Sequence, residues 1–164
     1  MADQTLVELV LRSVDEFNNL RKKQSCEKSE SEQEEMLDLS HADFRNAKLA
    51  GANFEGVNLA GADFEKANLI GANFKGAFLY RANFGMANLE EANLKKVFLQ
   101  SANCYQVNFV KADLEEADLK WADLRCANLK EANLKKADLR AVISNNSTCF
   151  EGANLTWAKI GSYK

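Results

Sequence analysis

Ala42-Asp43-Phe44-Arg45-Asn46, Ala47-Lys48-Leu49-Ala50-Gly51, Ala52-Asn53-Phe54-Glu55-Gly56 and Val57-Asn58-Leu59-Ala60-Gly61 decide the fold of this chain. Read in fives, they share one layout: a small apolar residue, then mostly Asn or Asp, then Leu or Phe, then two free positions. The register extends in both directions without insertion, from Leu37 to Ala141, which makes 21 consecutive units in a chain of 164 residues. Only Cys104 departs from Leu or Phe at the third position. A period of five fits neither a helix at 3.6 nor a plain strand at 2. Apolar positions two apart, followed by variable ones, describe a short extended piece and then a corner. Such a unit cannot bury its apolar side alone, so successive turns must stack on one another.

The third positions also set the size of a turn. Phe stands at 44, 54, 64, 74 and 84, with Leu49, Leu59, Leu69 and Leu79 between. A ten-residue coil is too tight to close around these side chains, and a fifteen-residue coil would stack Phe44 on Leu59. Four units per coil is the smallest arrangement that puts Phe over Phe and Leu over Leu. Four inward columns follow: Phe44 to Leu124, Leu49 to Leu129, Phe54 to Leu134, and the unbroken Leu39 to Leu139. Large and small columns in alternation fill a narrow interior without voids.

Units such as Ala62-Asp63-Phe64, Ala117-Asp118-Leu119 and Ala132-Asn133-Leu134 resemble the pentapeptide-repeat family. The resemblance covers residues 37–141 and implies an all-β fold, a right-handed quadrilateral (four-sided) parallel β-helix solenoid. In that fold the first and third residues of each unit point inward. At about 4.8 Å per coil, the repeats make a rod roughly 25 Å long.

Both ends depart from the repeat. Leu6, Leu9, Val10, Val14, Phe17 and Leu20 recur at helical spacing, and Thr5 with Glu8 reads as a capping box, so an N-terminal amphipathic helix is expected over about 6–23. Val14 to Arg21 is similar to a short helix that precedes the repeats in some bacterial family members. Two roles are open to it: a lid over the first coil, whose strand edges otherwise stand unpaired, or a partner-binding element. The domain plan is thus helix in 1–23, polar linker in 24–36, repeats in 37–141, and an irregular loop with a capping partial coil in 142–164. The repeat resumes at Ala153-Asn154-Leu155 one residue out of register, which asks for a bulge near 143–151.

Composition narrows function. The start, Met1-Ala2-Asp3-Gln4-Thr5, has no basic leader, and no apolar run approaches the about 20 residues that span a bilayer. Cys26, Cys104, Cys126 and Cys149 show neither a CxxC pair nor zinc spacing, so reduced thiols in a cytoplasmic protein are expected. The Asn-x-Ser/Thr matches at Asn145, Asn146 and Asn154 are read as chance. Residues 1–36 carry nine acids and five bases, while the remainder carries 15 acids and 16 bases.

No constellation for catalysis stands out, and neither a cofactor nor a metal is expected. His41 is the sole histidine, at an outward position, and neither a second histidine nor an acid triad surrounds it. Cys104 falls on an inward column and reads as an inert thiol, whereas Cys126 points outward. Asp113, Glu115 and Glu116 read as a solvated rung rather than a cation site. The Asn and Asp of the second positions read as structural.

The outer surface carries the functional expectation. Phe78 and Phe98 replace Asn or Asp at second positions one coil apart; Tyr80 shares a unit with Phe78, and Trp121 ends the unit above that of Phe98. All four should project from the face backed by the Leu39–Leu139 column. Gathered aromatics mark interfaces, so a non-catalytic scaffold binding an unknown protein, or forming a homodimer, is the leading reading. Cover by the N-terminal helix or the C-terminal segment is the competing explanation. The family resemblance supplies an alternative function, a DNA-mimic regulator that binds or protects a type II topoisomerase. Such mimicry needs an acidic rod, yet Glu55, Lys75, Lys95, Lys96, Glu115, Glu116, Lys135 and Lys136 alternate in sign. No basic stripe accompanies the aromatics, so direct nucleic-acid binding is not expected.

Overall fold

The computed structural model describes residues 2–26 and 36–162. Residues 38–139 form a solenoid in which each second-position residue bridges in parallel with the residue 20 positions on, as in Asp43 with Asp63 and Asn83 with Asn103. Most rungs are single bridges because only about three residues of each unit are extended before the next corner. The exception is the last pair, β1 (Asp138–Arg140) beside β2 (Lys159–Gly161), in parallel register.

The backbone bonds explain why five residues suffice. Within a unit's corner, the N–H of the next first residue donates to the third-position carbonyl, as Ala47 does to Phe44 at 3.1 Å. The fifth residue sits at positive φ, for example Asn46 at 57° and Lys96 at 56°, the signature of a type II turn. Between coils, third and fifth N–H groups donate to the coil above, and second N–H groups donate to the coil below: Phe64 to Asn83, Lys66 to Gly85 and Asp63 to Ala42. We label the four sides by their first-coil units: face I begins at Leu37, face II at Ala42, face III at Ala47 and face IV at Ala52.

First- and third-position side chains fill the interior. The Phe rings form two stacks, Phe44–Phe64–Phe84 at 5.0 and 4.9 Å and Phe54–Phe74 at 5.0 Å, which meet edge-on at 5.8 Å between Phe64 and Phe74. Stacked and edge-on rings together fill the core with the geometries aromatic pairs prefer. Cys104 lies on the Phe44 column and is fully buried.

The N-terminal segment differs from the single expected helix. It forms α1 (Gln4–Arg12) and α2 (Val14–Cys26), divided at Ser13. Asp3, not Thr5, caps α1: its carboxylate accepts from the N–H groups of Thr5 at 2.9 Å and Leu6 at 3.2 Å. Ser13 is extended, at φ −156° and ψ 109°, and its hydroxyl accepts from Glu16 N–H at 3.2 Å. Ser13-Val14-Asp15-Glu16 therefore carries a second N-cap signal, and it wins over continuation of α1. The linker expected at 24–36 begins later than read, because residues 24–26 continue α2, and residues 27–35 lie outside the described residues.

The helix pair supplies the first coil with bonds that a coil beneath would provide. Asp3 N–H donates to Asp38 O at 3.1 Å, Asn53 N–H donates to Asn18 Oδ1 at 2.8 Å, and the Arg21 guanidinium donates to Glu55 O. Phe17 is fully buried with its ring 5.5 Å from Phe54, so it extends the aromatic column one step past the first coil. This edge is thus paired rather than open. At the other end the register shifts by one between Asp123↔Ile143 and Asn128↔Cys149. The extra residue is taken up in a turn where Thr148 N–H donates to Asn145 O at 2.9 Å. No helix among the described residues is long and apolar enough to cross a membrane.

Candidate interaction face

The outward second positions form ladders. Each Asn or Asp there accepts, through Oδ1, the N–H two residues on, as Asn58 does from Ala60 at 3.2 Å and Asp118 from Lys120 at 3.2 Å. These side-chain turns hold the corner open for the αL residue that follows. Asn side chains also donate to the coil below: Asn73 to Asn53 at 3.0 Å, Asn93 to Asn73 at 3.0 Å, and Asn103 to Asn83 at 2.8 Å.

Face I breaks this rule in two successive coils. Phe78 and Phe98 occupy the ladder positions and stack at 4.9 Å with ring planes 9° apart. Neither has a side-chain oxygen, so the N–H groups of Tyr80 and Gln100 go without the acceptor that their counterparts Ala60 and Lys120 have. Two side-chain bonds, each worth about 1 kcal/mol, are absent where the aromatic pair stands. Phe78 and Phe98 remain 41% and 40% exposed, Tyr80 45% and Trp121 46%. All four thus keep exposed surface in the presence of α1, α2 and residues 142–162.

The structure therefore stacks two of the four predicted residues, while Tyr80 and Trp121 each stand beside a cation. The Arg81 guanidinium lies 5.0 Å from the Tyr80 ring, and Lys120 Nζ lies 5.9 Å from the Trp121 ring. Lys120 also pairs with Asp118 at 2.8 Å, and Gln100 donates to the same carboxylate at 2.8 Å. The sequence reading left out Arg81 and Lys120, although each is the chain neighbour of a named aromatic. It also left out Trp157, which is 74% exposed on face IV of the last coil.

The other singled-out residues take structural places. The His41 ring lies over Gly61, where an added Cβ would come within 2.6 Å of Nδ1. Burial, with the nearby charge of Asp123 as a smaller cause, pushes the Cys104 thiol up to about 12. Cys126 is half-buried, and its Sγ accepts from Asn145 at 3.4 Å. On face IV, Lys95 bridges to Asp113 at 3.1 Å and Glu115 at 3.5 Å, Lys135 meets Glu115 at 3.4 Å, and Lys136 meets Glu116 at 3.2 Å. The hydrogen bond from Lys135 is the main cause that holds the Glu115 carboxyl below its usual range. Among the described residues, no group of three or more His, Cys, Asp or Glu side chains is placed to hold a metal.

Eight copies of the pentapeptide repeat match at residues 38–76, 58–95 and 102–140, together more than half of the chain. The chain is a member of the pentapeptide-repeat family. No curated protein gives a significant match. Among solved structures, it is similar to the pentapeptide-repeat protein Rfr23 of the cyanobacterium Cyanothece 51142, at 26% identity and a TM-score of 0.58, over 71% of this chain and 91% of that one. A pentapeptide-repeat protein of the Arabidopsis thaliana thylakoid lumen is 33% identical over 70% of this chain and 66% of its own, with a TM-score of 0.49. QnrB1, a plasmid-mediated fluoroquinolone resistance protein, is 16% identical over 74% of this chain and 61% of its own, with a TM-score of 0.35. Membership makes the second-position Asn and Asp part of the family's own repeat. Within residues 37–141 it leaves Lys48, Phe78 and Phe98 as this chain's departures at second positions, and only the two Phe follow one another on a single face.

Proposed function

We propose that this pentapeptide-repeat rod, a right-handed four-sided coil as its family resemblance implies, is a non-catalytic cytoplasmic scaffold. Its working surface is face I, where Phe78, Tyr80, Phe98 and Trp121 dock a protein partner. The observation that carries this reading is the Phe78–Phe98 stack, which stands where the ladder and its side-chain turns would otherwise continue. Exposed, stacked aromatics with adjacent cations have the composition of interface anchors. The mixed signs on face IV speak against a DNA-like acidic surface, because Glu55 is met by Lys75, and Glu115 and Glu116 by Lys95, Lys135 and Lys136. The test is affinity capture from native lysate with wild type and a folded Phe78→Asp/Phe98→Asp variant, with Ile70→Asp on face III as the matched control. Partners held by wild type and the control, and lost by the double variant, are the expected outcome. Identical capture by all three sinks the reading.

A further inference from the structure

Face I has a relief that repeats along the rod. Its fourth and fifth positions run, coil by coil, Ala60-Gly61, Tyr80-Arg81, Gln100-Ser101 and Lys120-Trp121. Tyr80, Arg81 and Trp121 are exposed, whereas Ala60, Gly61, Gln100, Ser101 and Lys120 are half-buried. Tall rungs thus alternate with short ones. Taking the aromatic face as a docking surface, as proposed above, we infer that its partner is a second copy of this chain, joined face to face by a two-fold axis lying across the rungs between Tyr80 and Gln100.

The relief selects this arrangement. A two-fold axis across the rungs reverses their order but keeps fourth positions opposite fourth and fifth opposite fifth. Tyr80-Arg81 then meets the short Gln100-Ser101 rung of the other copy, and Lys120-Trp121 meets Ala60-Gly61, with Trp121 against the His41 ring that lies over Gly61. Phe78 meets Phe98, so apolar faces apolar. A two-fold axis along the rod would instead set each rung against its own counterpart, the Tyr80-Arg81 rung on the Tyr80-Arg81 rung and the Trp121 rung on the Trp121 rung, tall on tall. Moving the axis one coil up keeps the tall-to-short match but places Phe98 against Asp118 and Phe78 against Asp138, carboxylates already engaged by Lys120 and Arg140. Only the first register matches both shape and polarity, the condition for a specific symmetric interface.

The contact is small. Four rungs at about 4.8 Å make a strip about 20 Å long and one extended triplet, about 10 Å, wide, well under the ~800 Å² per partner of a lasting dimer. The pairing is therefore weak, reversible and concentration-dependent.

Ala60 tests it, because it lies three coils from Lys120 in its own chain but opposite Lys120 of the other copy. Sedimentation analysis from about 1 µM to about 1 mM should show monomers passing to dimers. Ala60→Lys should raise the dissociation constant about tenfold and Ala60→Glu should lower it several-fold. Ala60→Lys with Lys120→Glu should restore the wild-type value, a rescue that general misfolding cannot give. A chain that stays monomeric throughout, or a dimer indifferent to Ala60→Lys, overturns the self-pairing; if lysate capture still depends on Phe78 and Phe98, the aromatic-face reading survives that loss. Dimers that persist in Phe78→Asp/Phe98→Asp place the contact elsewhere and likewise overturn the self-pairing.

Discussion

Phe64→Ala should be among the most damaging single substitutions in the chain. Phe64 is fully buried in the second coil, stacked on Phe44 at 5.0 Å and Phe84 at 4.9 Å, with Phe54 and Phe74 edge-on at 6.0 and 5.8 Å. Removing a buried Phe costs about 3–5 kcal/mol in lost transfer energy and residual cavity. The ring also joins four aromatic pairs, each worth roughly 0.5–1.5 kcal/mol beyond its area. Backbone ladders above and below pin the coil spacing, so the site cannot collapse to refill the void. The expected loss lies at the upper end, about 4–5 kcal/mol, and should lower Tm by roughly 10–15 °C for a chain of this length. Phe64→Leu should cost only about 1 kcal/mol, because the same column accepts Leu124. Thermal and urea unfolding followed by circular dichroism give both values. Hydrogen exchange should show the loss confined to coils one to three, because a solenoid coil touches only its neighbours. A loss under about 1 kcal/mol for Phe64→Ala, or damage spread evenly to the fifth coil, would refute the stacked-column account.

Three further outcomes are expected. Gly51→Ala should cost about 1 kcal/mol from its φ of +69° alone, since the space around it is open, and Gly61→Ala should cost more because of His41. Adding His41→Ala to Gly61→Ala should return the cost to the Gly51→Ala level in urea titrations. In pH scans of Tm, stability should fall as pH drops from about 4 toward about 2. Asp43, lowered to about 2 by its hydrogen bond from Arg45, and Asp123 and Asp138, lowered by Arg125 and Arg140, contribute only while ionised, so protonation removes their share. A Tm flat across that window would contradict this assignment. In thiol labelling at pH 8, Cys126 and Cys149 should react in the folded chain, whereas Cys104, buried and pushed up to about 12, should react only on unfolding.

The columns, the coil length and the outward projection of Phe78, Tyr80, Phe98 and Trp121 were legible because a five-residue period is a one-dimensional pattern. Stacking turns it into geometry with a single integer, the number of units per coil. The N-terminus was less legible, because two capping signals compete within Asp3–Glu16, and the choice between them depends on docking to the first coil. Asn18 and Arg21 were not legible at all. Their task is to replace the main-chain groups of a missing coil, and no residue type announces that. Nor did the sequence reveal the αL corners. Gly occupies the fifth position at 51, 56, 61, 71 and 76 but nowhere from 81 to 141, where Met, Glu, Lys, Gln and Trp hold the same positive φ. The ladder of interchain-like bonds imposes that conformation on residues that would not choose it. On face I the aromatics were visible but their meaning needed the ladder: only beside Asn58 and Asp118, each closing a side-chain turn, do Phe78 and Phe98 stand out as a loss of bonds.

The most direct test of face I as the working surface is site-specific photocrosslinking in the native cell. A benzoylphenylalanine replaces Tyr80 in one variant and Ile70, on face III, in the other. The account predicts a discrete adduct from position 80 and none from position 70. No adduct at 80, or the same products from both positions, would contradict it.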